Sequence, residues 1–254
     1  MRSTMPKIRM CSPEIPNMHY LYRSRRAVSI CVLMLFLGIF AVRPGKADPI
    51  HPSGTNAYQK VTGANPEDDR QNWDGIYQKA KNHYVYGKEP AAFLKENIER
   101  LALGRALDVA MGEGRNAVYL AKKGFRVDGV DFSAVALRKA KLLARENRVT
   151  INAIYADLSA YQIKPETYDL VVNINFLHRG FIEQIKKGLR RGGYVIFENP
   201  TVDHLKHEPG LVRAYLLEKG ELKELFKDFE ILVYRETVDD KGAVASLIAR
   251  KPLL

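Results

Sequence analysis

The sequence predicts an α/β domain with a mostly parallel sheet covered by helices on both faces. Three observations carry this prediction. From residue 100 onward, short apolar strands alternate with helical segments, and a glycine turn joins the first strand to its helix. Near the end of the chain, two strand-like runs flank Asp239-Asp240-Lys241-Gly242, which has hairpin-turn chemistry. Alternation with short connections is typical of parallel sheets, and a late hairpin adds one antiparallel strand.

The elements are predicted in chain order from apolar periodicity and from cap and turn residues. We expect strands over 106–110, 126–131, 150–155, 168–174 and 194–198, helices over 116–123, 134–146, 181–189 and 221–226, and hairpin strands over 230–236 and 243–249. Ser133 can cap the second helix through its hydroxyl, and Gly124 ends the first. Gly192 and Gly193 predict the turn before the fifth strand.

An apolar run precedes the domain. Residues 27–42 are uncharged and apolar, with basic residues before them and Gly45-Lys46-Ala47 after them. At ~1.5 Å per residue the run is shorter than the ~30 Å hydrocarbon core of a bilayer. The pattern predicts that residues 1–47 are a signal peptide cut after Ala47 or an N-terminal membrane anchor, so that the domain is exported or membrane-anchored. A mis-assigned start and a cytoplasmic protein are the alternative.

Residues 48–72 are polar and contain three prolines and two glycines between Asp48 and Arg70, without any period. They predict a flexible linker. The folded domain is then expected over 73–254.

Charge and cysteine content exclude several functions. The net charge is +11, but residues 1–47 hold eight of the 40 basic residues and one of the 29 acidic residues. The remainder carries about +4, which predicts a mildly basic surface and no nucleic-acid partner. Cys11 and Cys31 are the only cysteines. A disulfide, a cysteine metal site and a catalytic thiol are therefore excluded after residue 47.

Ligand-binding residue types follow three successive strands. Gly112 and Gly114 stand between the first strand and its helix, where glycine permits positive φ and close approach of a ligand, and the helix N-terminus presents free N–H groups. The second strand ends at Asp131, whose carboxylate can accept both hydroxyls of a ribose. Asp157 closes the third strand and can accept a hydrogen bond from an adenine amino group. Together these features predict a nucleoside-containing ligand.

The glycine turn alone leaves the ligand open, because it also fits the G-x-G-x-x-A form of a dinucleotide site. A nicotinamide-dependent oxidoreductase is therefore an alternative. Asp108 lies inside the first strand, where a dinucleotide fold usually has an apolar residue. With the late hairpin, it favours S-adenosylmethionine (SAM). A non-catalytic SAM-binding protein is a further alternative, which the leader favours because SAM is made in the cytosol.

From Trp73 onward the chain resembles the class I SAM-dependent methyltransferases, and within them the tellurite-resistance, TehB-like family. The shared motifs are Asp108 with Gly112-x-Gly114-Arg115-Asn116, Asp131-Phe132-Ser133, Ala156-Asp157-Leu158, Gly192-Gly193, and Gly220-Glu221-Leu222 with the late hairpin. Two positions depart, since the family commonly has Gly and a small residue where this chain has Ala110 and Met111. Alanine is a mild change, whereas Met111 is expected to narrow the cleft or contact the ligand.

The resemblance implies a Rossmann-like three-layer sandwich with a seven-stranded sheet, SAM as cofactor and methyl transfer to a small-molecule acceptor. An oxyanion such as tellurite or selenite is one candidate acceptor. From the motifs and the resemblance together, the predicted cofactor-binding residues are Asp108, Gly112, Gly114, Arg115, Asn116, Asp131, Phe132, Ser133, Asp157, Leu158 and Asn173. Methyl transfer depends mainly on positioning and desolvation, so neither a catalytic triad nor a metal is expected.

Two residues after the fourth strand are the predicted catalytic helpers. His178 and Arg179 can hold an anionic acceptor or act as a base, and the alternative is a solvated loop pair. Asn173 and Asn175 are placed near the methyl-transfer cleft, with ordinary turn capping as the alternative. The aromatic residues at 73, 77, 84 and 86 are predicted to fold over the cofactor as a lid or to form an aromatic edge of the core.

The cluster His204, His207 and Glu208 lacks a fourth ligand, so we predict no metal site. The sequence does not predict an oligomeric state, and its leader makes membrane association through the N-terminus an open expectation.

Overall fold

The computed structural model describes residues 66–254, with side chains from Arg70 onward. The predicted leader and residues 48–65 of the predicted linker lie outside this range. Helix α1 (Pro66–Lys79) begins before the expected start of the domain at residue 73. Residues 66–72 are thus helical, because a proline that opens a helix loses no intrahelical hydrogen bond there.

The described part of the chain contains every predicted strand and helix. In chain order the elements are α1, α2 (Ala92–Asn97), β1 (Arg105–Val109), α3 (Arg115–Lys122), β2 (Arg126–Asp131), α4 (Ala134–Glu146), β3 (Asn152–Tyr155), β4 (Tyr168–Ile174), α5 (Ile182–Gly188), β5 (Leu189–Pro200), α6 (Glu221–Leu225), β6 (Glu230–Asp239) and β7 (Gly242–Arg250). Helix α2 was not predicted. No helix among residues 66–254 has the length and apolar character needed to cross a membrane.

The seven strands form one sheet in the order β3-β2-β1-β4-β5-β7-β6. Strand β7 runs antiparallel to both of its neighbours, β5 and β6, and the other pairings in the sheet are parallel. One face packs against α5 and α6, and the other against α2, α3 and α4. This confirms the predicted three-layer α/β class. The strand order reverses between β1 and β4, and such a switch point opens a crevice at the carboxyl ends of the strands.

The predicted turn at Gly192 lies inside the long strand β5. Tyr168 pairs with Leu189 and Leu170 pairs with Tyr194, so β5 bulges between these two pairs. Gly192 has φ +74°, the left-handed region that glycine adopts without steric cost. The bulge is the reason β5 begins five residues earlier than the predicted strand at Tyr194.

The residue after β1 has an unusual backbone. Ala110 has φ +50°, and the left-handed region costs a residue with a Cβ roughly 1–2 kcal/mol. The replacement of the family glycine by Ala110, which we expected to be mild, therefore occurs at a position whose backbone favours glycine. We expect Ala110→Gly to raise the free energy of unfolding by up to ~1 kcal/mol, because relief of strain exceeds the added entropy of the unfolded chain.

Urea unfolding would measure this change. Ala121→Gly in α3 is the matched control, since a helical alanine should lose roughly 1 kcal/mol on the same substitution. Equal losses in both variants would contradict the strain at Ala110.

Candidate active site

The cleft opens above the carboxyl ends of β1, β2, β4 and β5. Gly112, Asp131 and Phe132 line one side, and Asn175 and Pro200 line the other. This is the crevice at the switch point, where the sequence predicted the ligand.

The two motif glycines perform different tasks. Gly112 (φ +54°) lines the cleft, and a Cβ there would lie 3.0 Å from the Tyr77 hydroxyl. Gly114 (φ +83°) precedes α3, and a Cβ there would lie 2.7 Å from the Cβ of Ala140 in α4. Gly112 therefore leaves space at the cleft surface, whereas Gly114 permits close packing of two helices.

Asp131 connects the end of β2 to the glycine turn. The backbone N–H of Gly112 donates to its Oδ2 at 2.8 Å, and the N–H of Ser133 donates to its Oδ1 at 2.8 Å. Burial raises the pKa of Asp131 to about 6, although these two hydrogen bonds favour the charged form. The carboxylate is held in one orientation at the cleft wall, as a site for ligand hydroxyls requires.

Asp108 lies beneath the same turn. Its side chain is 1% exposed and accepts a hydrogen bond from the backbone N–H of Ala117. Its Oδ2 is buried without a hydrogen-bond partner among the described atoms. Burial raises the pKa of Asp108 to about 7. Asp108 is not among the residues that line the cleft, but an unpartnered buried acceptor beneath the glycine turn is a position where a ligand that reaches it can supply the missing donor.

Of the remaining predicted residues in the glycine and β2 motifs, some line the cleft and others stabilise the surrounding fold. Arg115 and Phe132 line the cleft, and Arg115 donates to the carbonyl of Tyr86 at 3.1 Å. Asn116 also lines it, but its Oδ1 accepts from the N–H of Ala91 at 2.9 Å. Ser133 is fully buried and caps α4, as predicted, by accepting from the N–H of Ala136 at 3.0 Å.

The β3 motif lies away from the cleft in the described structure. Asp157 is exposed and accepts from the N–H of Ser159 at 2.8 Å, within its own turn. Leu158 is buried in the core cluster that packs against α5. Neither residue is among those lining the cleft. One oxygen of Asp157 is used within its own turn, and the predicted adenine contact stays a prediction.

The two asparagines at the end of β4 differ in their relation to the cleft. Asn173 is buried behind the wall, and its amide donates to the carbonyl of Phe176 at 2.5 Å. Asn175 lines the cleft with φ +59°, and its N–H donates to the carbonyl of Glu198 at 2.9 Å. Asn173 therefore shapes the turn rather than the surface that a ligand would touch.

The predicted catalytic helpers do not form part of the cleft wall. His178 and Arg179 are exposed and neither is among the lining residues. The guanidinium of Arg179 forms two hydrogen bonds with Glu221, at 2.5 and 2.9 Å. It also donates to the carbonyls of Ala214 at 2.7 Å and Leu216 at 2.9 Å. These contacts argue against a catalytic role, because the guanidinium N–H groups that would bind an oxyanion already donate to protein acceptors.

Arg179 instead holds the cap segment, which we define as residues 201–217. The N–H of Val202 donates to the carbonyl of Leu217, and the N–H of Leu217 donates to the carbonyl of Pro200, so the ends of the segment meet. Its residues 211, 212, 215 and 216 line the cleft. Arg179 thus acts on the site through the cap segment and is a positioning residue.

We expect Arg179→Lys to loosen the cap segment without changing SAM affinity. Lysine cannot reproduce the two-pronged bond to Glu221 together with two carbonyl bonds. Losing about 1.5 kcal/mol of charge-assisted bonding should speed amide hydrogen exchange in residues 211–217 roughly tenfold.

Arg213→Lys is the matched control, because Arg213 pairs with Glu218 in an exposed pair in the same region. Unchanged exchange in Arg179→Lys, with altered SAM binding, would return Arg179 to the ligand site.

Glu113 and Lys139 are residues that sequence reasoning missed. Glu113 stands between the two motif glycines, accepts from the N–H of Val85 at 2.5 Å and forms a buried ion pair with Lys139 of α4. Lys139 also donates to the carbonyl of His83 at 2.7 Å. Burial raises the pKa of Glu113. The ion pair connects the segment before α2 to the glycine turn. In the sequence, the only feature that could have indicated it is the acidic residue Glu113 between the two motif glycines.

The aromatic segment contributes to the cleft wall and also packs in a small core cluster, so the lid and the core-edge alternatives both stay predictions. Trp73 stacks on Tyr77 with ring centroids 5.6 Å apart, and both line the cleft together with Tyr86. Tyr84 does not line it and instead donates to the carbonyl of Lys139 at 3.3 Å. Helix α1 thus places Trp73 and Tyr77 beside the glycine turn.

The histidine cluster serves the scaffold. His204 is buried, and its Nδ1 accepts from the backbone N–H of Ala243 at 3.0 Å. Burial lowers the pKa of His204, which favours the neutral ring that this bond requires. His204 therefore joins the cap segment to the hairpin.

Comparison with known proteins identifies the central part of the chain. Residues 106–193 match the family model described as a methyltransferase domain. This segment is similar to a methyltransferase domain. It includes the glycine turn, Asp131 and strands β1 to β4. The cofactor of this domain class is SAM.

The chain is also similar to several known proteins and solved structures. Hemagglutinin 1 of Eikenella corrodens is 28% identical over 154 residues, covering 57% of this chain and 50% of that protein. The probable SAM-dependent methyltransferase TehB of Haemophilus influenzae is 28% identical over 166 residues, covering 58% and 57%. The crystal structure of that TehB superposes with a TM-score of 0.56 at 23% identity, covering 70% of this chain and 67% of the other.

These comparisons confirm the class I SAM-dependent methyltransferase fold and the resemblance to TehB. The chain spans about half the length of the curated relatives it matches.

Proposed function

We propose that the protein is a SAM-dependent methyltransferase acting on a small-molecule acceptor. The observation that carries the proposal is the pair of buried carboxylates at the methyltransferase glycine turn. Asp131 presents fixed oxygens to the cleft, and Asp108 keeps an unpartnered oxygen beneath it. This combination fits a ligand that carries both sugar hydroxyls and an amino group, as SAM does.

The chain contributes position and a dry environment. Bound SAM supplies a methyl group on a positively charged sulfur, which is transferred by in-line displacement. Asp131 would hold the ribose, and Asp108 would act on the amino-acid end. Trp73 and Tyr77 cover this half of the cleft, whereas Leu211 and Leu216 exclude water from the other half. Water exclusion favours the reaction, because charge disperses as the sulfonium is consumed.

Titration calorimetry on the full chain tests the proposal. We expect heat with SAM and with its demethylated product, and none with NAD. A response to NAD alone would favour the oxidoreductase alternative. Binding of SAM without turnover of any acceptor would favour the non-catalytic alternative.

The acceptor is proposed to be small because the structure offers little room for a large one. Beyond β5, only the cap segment projects over the cleft, and the residues after position 47 carry about +4, without the strong basic excess of a nucleic-acid-binding domain. The TehB resemblance makes tellurite and selenite acceptors to assay. Their predicted anchor, Arg179, is held by Glu221, so the oxyanion proposal rests on the resemblance alone.

We further propose that residues 1–47 direct export or membrane attachment. In a bacterial host, the full chain should fractionate with the membrane or the exported pool, and a processed form should begin at Asp48. N-terminal sequencing of the fractionated protein measures this. Replacement of Leu35 and Leu37 by arginine, which interrupts the apolar run, is the control and should leave the protein cytoplasmic. Unprocessed native protein found wholly in the cytosol would contradict the proposal.

A further inference from the structure

The acceptor half of the cleft is mainly apolar and carries three uncharged polar residues, Asn175, Asn199 and Tyr215. It is built from the residues after β4, the end of β5 and the cap segment. Its walls include Phe176, Leu177, Leu211, Val212 and Leu216. Among the described residues lining this half, none carries a charged side chain. The other half differs, since Glu113, Arg115 and Asp131 belong to it.

Two polar groups at or near this end of the cleft, the Asn199 amide and the Arg179 guanidinium, form hydrogen bonds within the protein. The Asn199 amide donates to the carbonyls of Tyr215 at 2.8 Å and Pro200 at 3.2 Å. The nearby guanidinium of Arg179 is taken by Glu221 and two cap carbonyls. An acceptor that arrives as an anion would lose its hydration here and gain no cationic partner from the described wall of this half, so the cofactor sulfonium would be its only counter-charge and its entry is costly.

The wall also lacks a strong base. Tyr215 is the only residue with an ionisable side chain in the described acceptor half. On the other side, Glu113 is ion-paired with Lys139, and Asp131 accepts two backbone hydrogen bonds. The acceptor must therefore be nucleophilic near neutral pH unaided. An alcohol is not, and an alkylamine is protonated in water, with a pKa near that of lysine, roughly 10.

A thiol meets both requirements. The thiol of cysteine has a pKa of about 8.5, and simple alkanethiols ionise at higher pH, but even a small thiolate fraction reacts because the thiolate is intrinsically very nucleophilic. A thiol can enter as a neutral molecule and ionise beside the cationic sulfonium. Its sulfur is polarizable and suits an apolar wall.

We infer that the acceptor is an uncharged organic thiol with an apolar body. This inference rests on the proposed methyltransferase function. In the reaction, the thiolate lone pair forms a bond to the methyl carbon while the carbon–sulfur bond of the sulfonium breaks. The bonding pair passes to the cofactor sulfur. The products are a methyl thioether and S-adenosylhomocysteine, and the thiol proton goes to solvent.

A matched acceptor panel on the full chain tests the inference. Alkanethiols from ethanethiol to hexanethiol vary the apolar body. 2-Mercaptoethanesulfonate adds a charge to the same nucleophile, hexanol and hexylamine change the nucleophile, and selenite and tellurite are free oxyanions. We expect kcat/KM to rise roughly threefold to fourfold per methylene along the thiols. It should be at least tenfold lower for mercaptoethanesulfonate than for ethanethiol.

A charge placed in the wall gives a second readout. Leu211→Arg should lower hexanethiol turnover and raise that of mercaptoethanesulfonate, with SAM affinity unchanged. Leu211→Met keeps the wall apolar and should preserve the wild-type order, and thermal unfolding checks that both variants fold.

Faster methylation of selenite or tellurite than of every thiol would overturn the inference, as would bound SAM with no thiol turnover. Absence of SAM binding would instead defeat the proposed function on which the inference rests.

Discussion

Replacing Asp131 with asparagine is expected to weaken SAM binding by roughly tenfold to a hundredfold. The carboxylate is buried at the cleft wall and fixed by the N–H groups of Gly112 and Ser133. Asparagine loses the charge and one acceptor, and a charge-assisted hydrogen bond contributes about 1.5–3 kcal/mol. Every ~1.4 kcal/mol is tenfold in affinity.

The pH dependence has the same origin. Because burial raises the pKa of Asp131 to about 6, wild-type affinity for SAM should fall as the pH drops below that value. The asparagine variant should lose this component of the pH dependence. Calorimetry between pH 5 and 8 measures both effects.

Asp203→Asn is the control, since Asp203 lies in the cap segment and pairs with exposed Lys206. Equal SAM affinities in the Asp131 and Asp203 variants would remove Asp131 from the ligand site.

The part of the site nearest the switch point was predictable from sequence. Neighbouring parallel strands bring their carboxyl ends to one edge, so a glycine turn after β1 and an acid ending β2 must lie close together. The distance of 2.8 Å from the Gly112 nitrogen to the Asp131 carboxylate follows from that topology. The Ser133 cap was equally predictable, because capping is a local interaction.

Side-chain direction was not predictable beyond these neighbours. Asp157 ends the next strand, but β3 is at the sheet edge and the carboxylate bonds within its own turn. Arg179 follows β4 as expected, yet its partner Glu221 is 42 residues further along the chain. No local sequence pattern indicates such a distant partner. The sequence therefore predicted the position of Arg179 in the fold but not the direction of its guanidinium.

Long-range contacts also explain the elements and pairs that sequence reasoning missed. Helix α2 has six residues, too few to show a helical period, and packing of Phe93 and Leu94 into the core stabilises it. Glu113 and Lys139 are 26 residues apart in the sequence, and they meet where α4 packs closely on the turn at Gly114. The glycine motif thus predicts the class of ligand. The elements that hold the motif in place, helix α2 and the Glu113–Lys139 pair, depend on tertiary packing and are not predicted by it.

Replacing Asp108 with asparagine is expected to stabilise the ligand-free protein above neutral pH while weakening SAM binding. Burial raises the pKa of Asp108 from 3.8 to about 7, so the folded state holds a proton that the unfolded chain releases. The resulting stability is fully present below pH 3.8 and is lost as the pH rises through about 7. At about 1.4 kcal/mol per pH unit, the loss reaches at most ~4 kcal/mol.

Urea unfolding of wild type and Asp108→Asn at pH 5 and pH 8 measures this difference. The variant should lose less stability than wild type across that range, because its amide does not titrate and can still accept from the N–H of Ala117. SAM should then stabilise the variant less than wild type, since the anionic partner for its amino group is gone. Asp157→Asn, at an exposed position, is the control and should change stability by no more than about 0.5 kcal/mol. Parallel pH profiles for wild type and Asp108→Asn would show that Asp108 does not hold a costly buried charge, and unchanged stabilisation by SAM would remove it from the cofactor site.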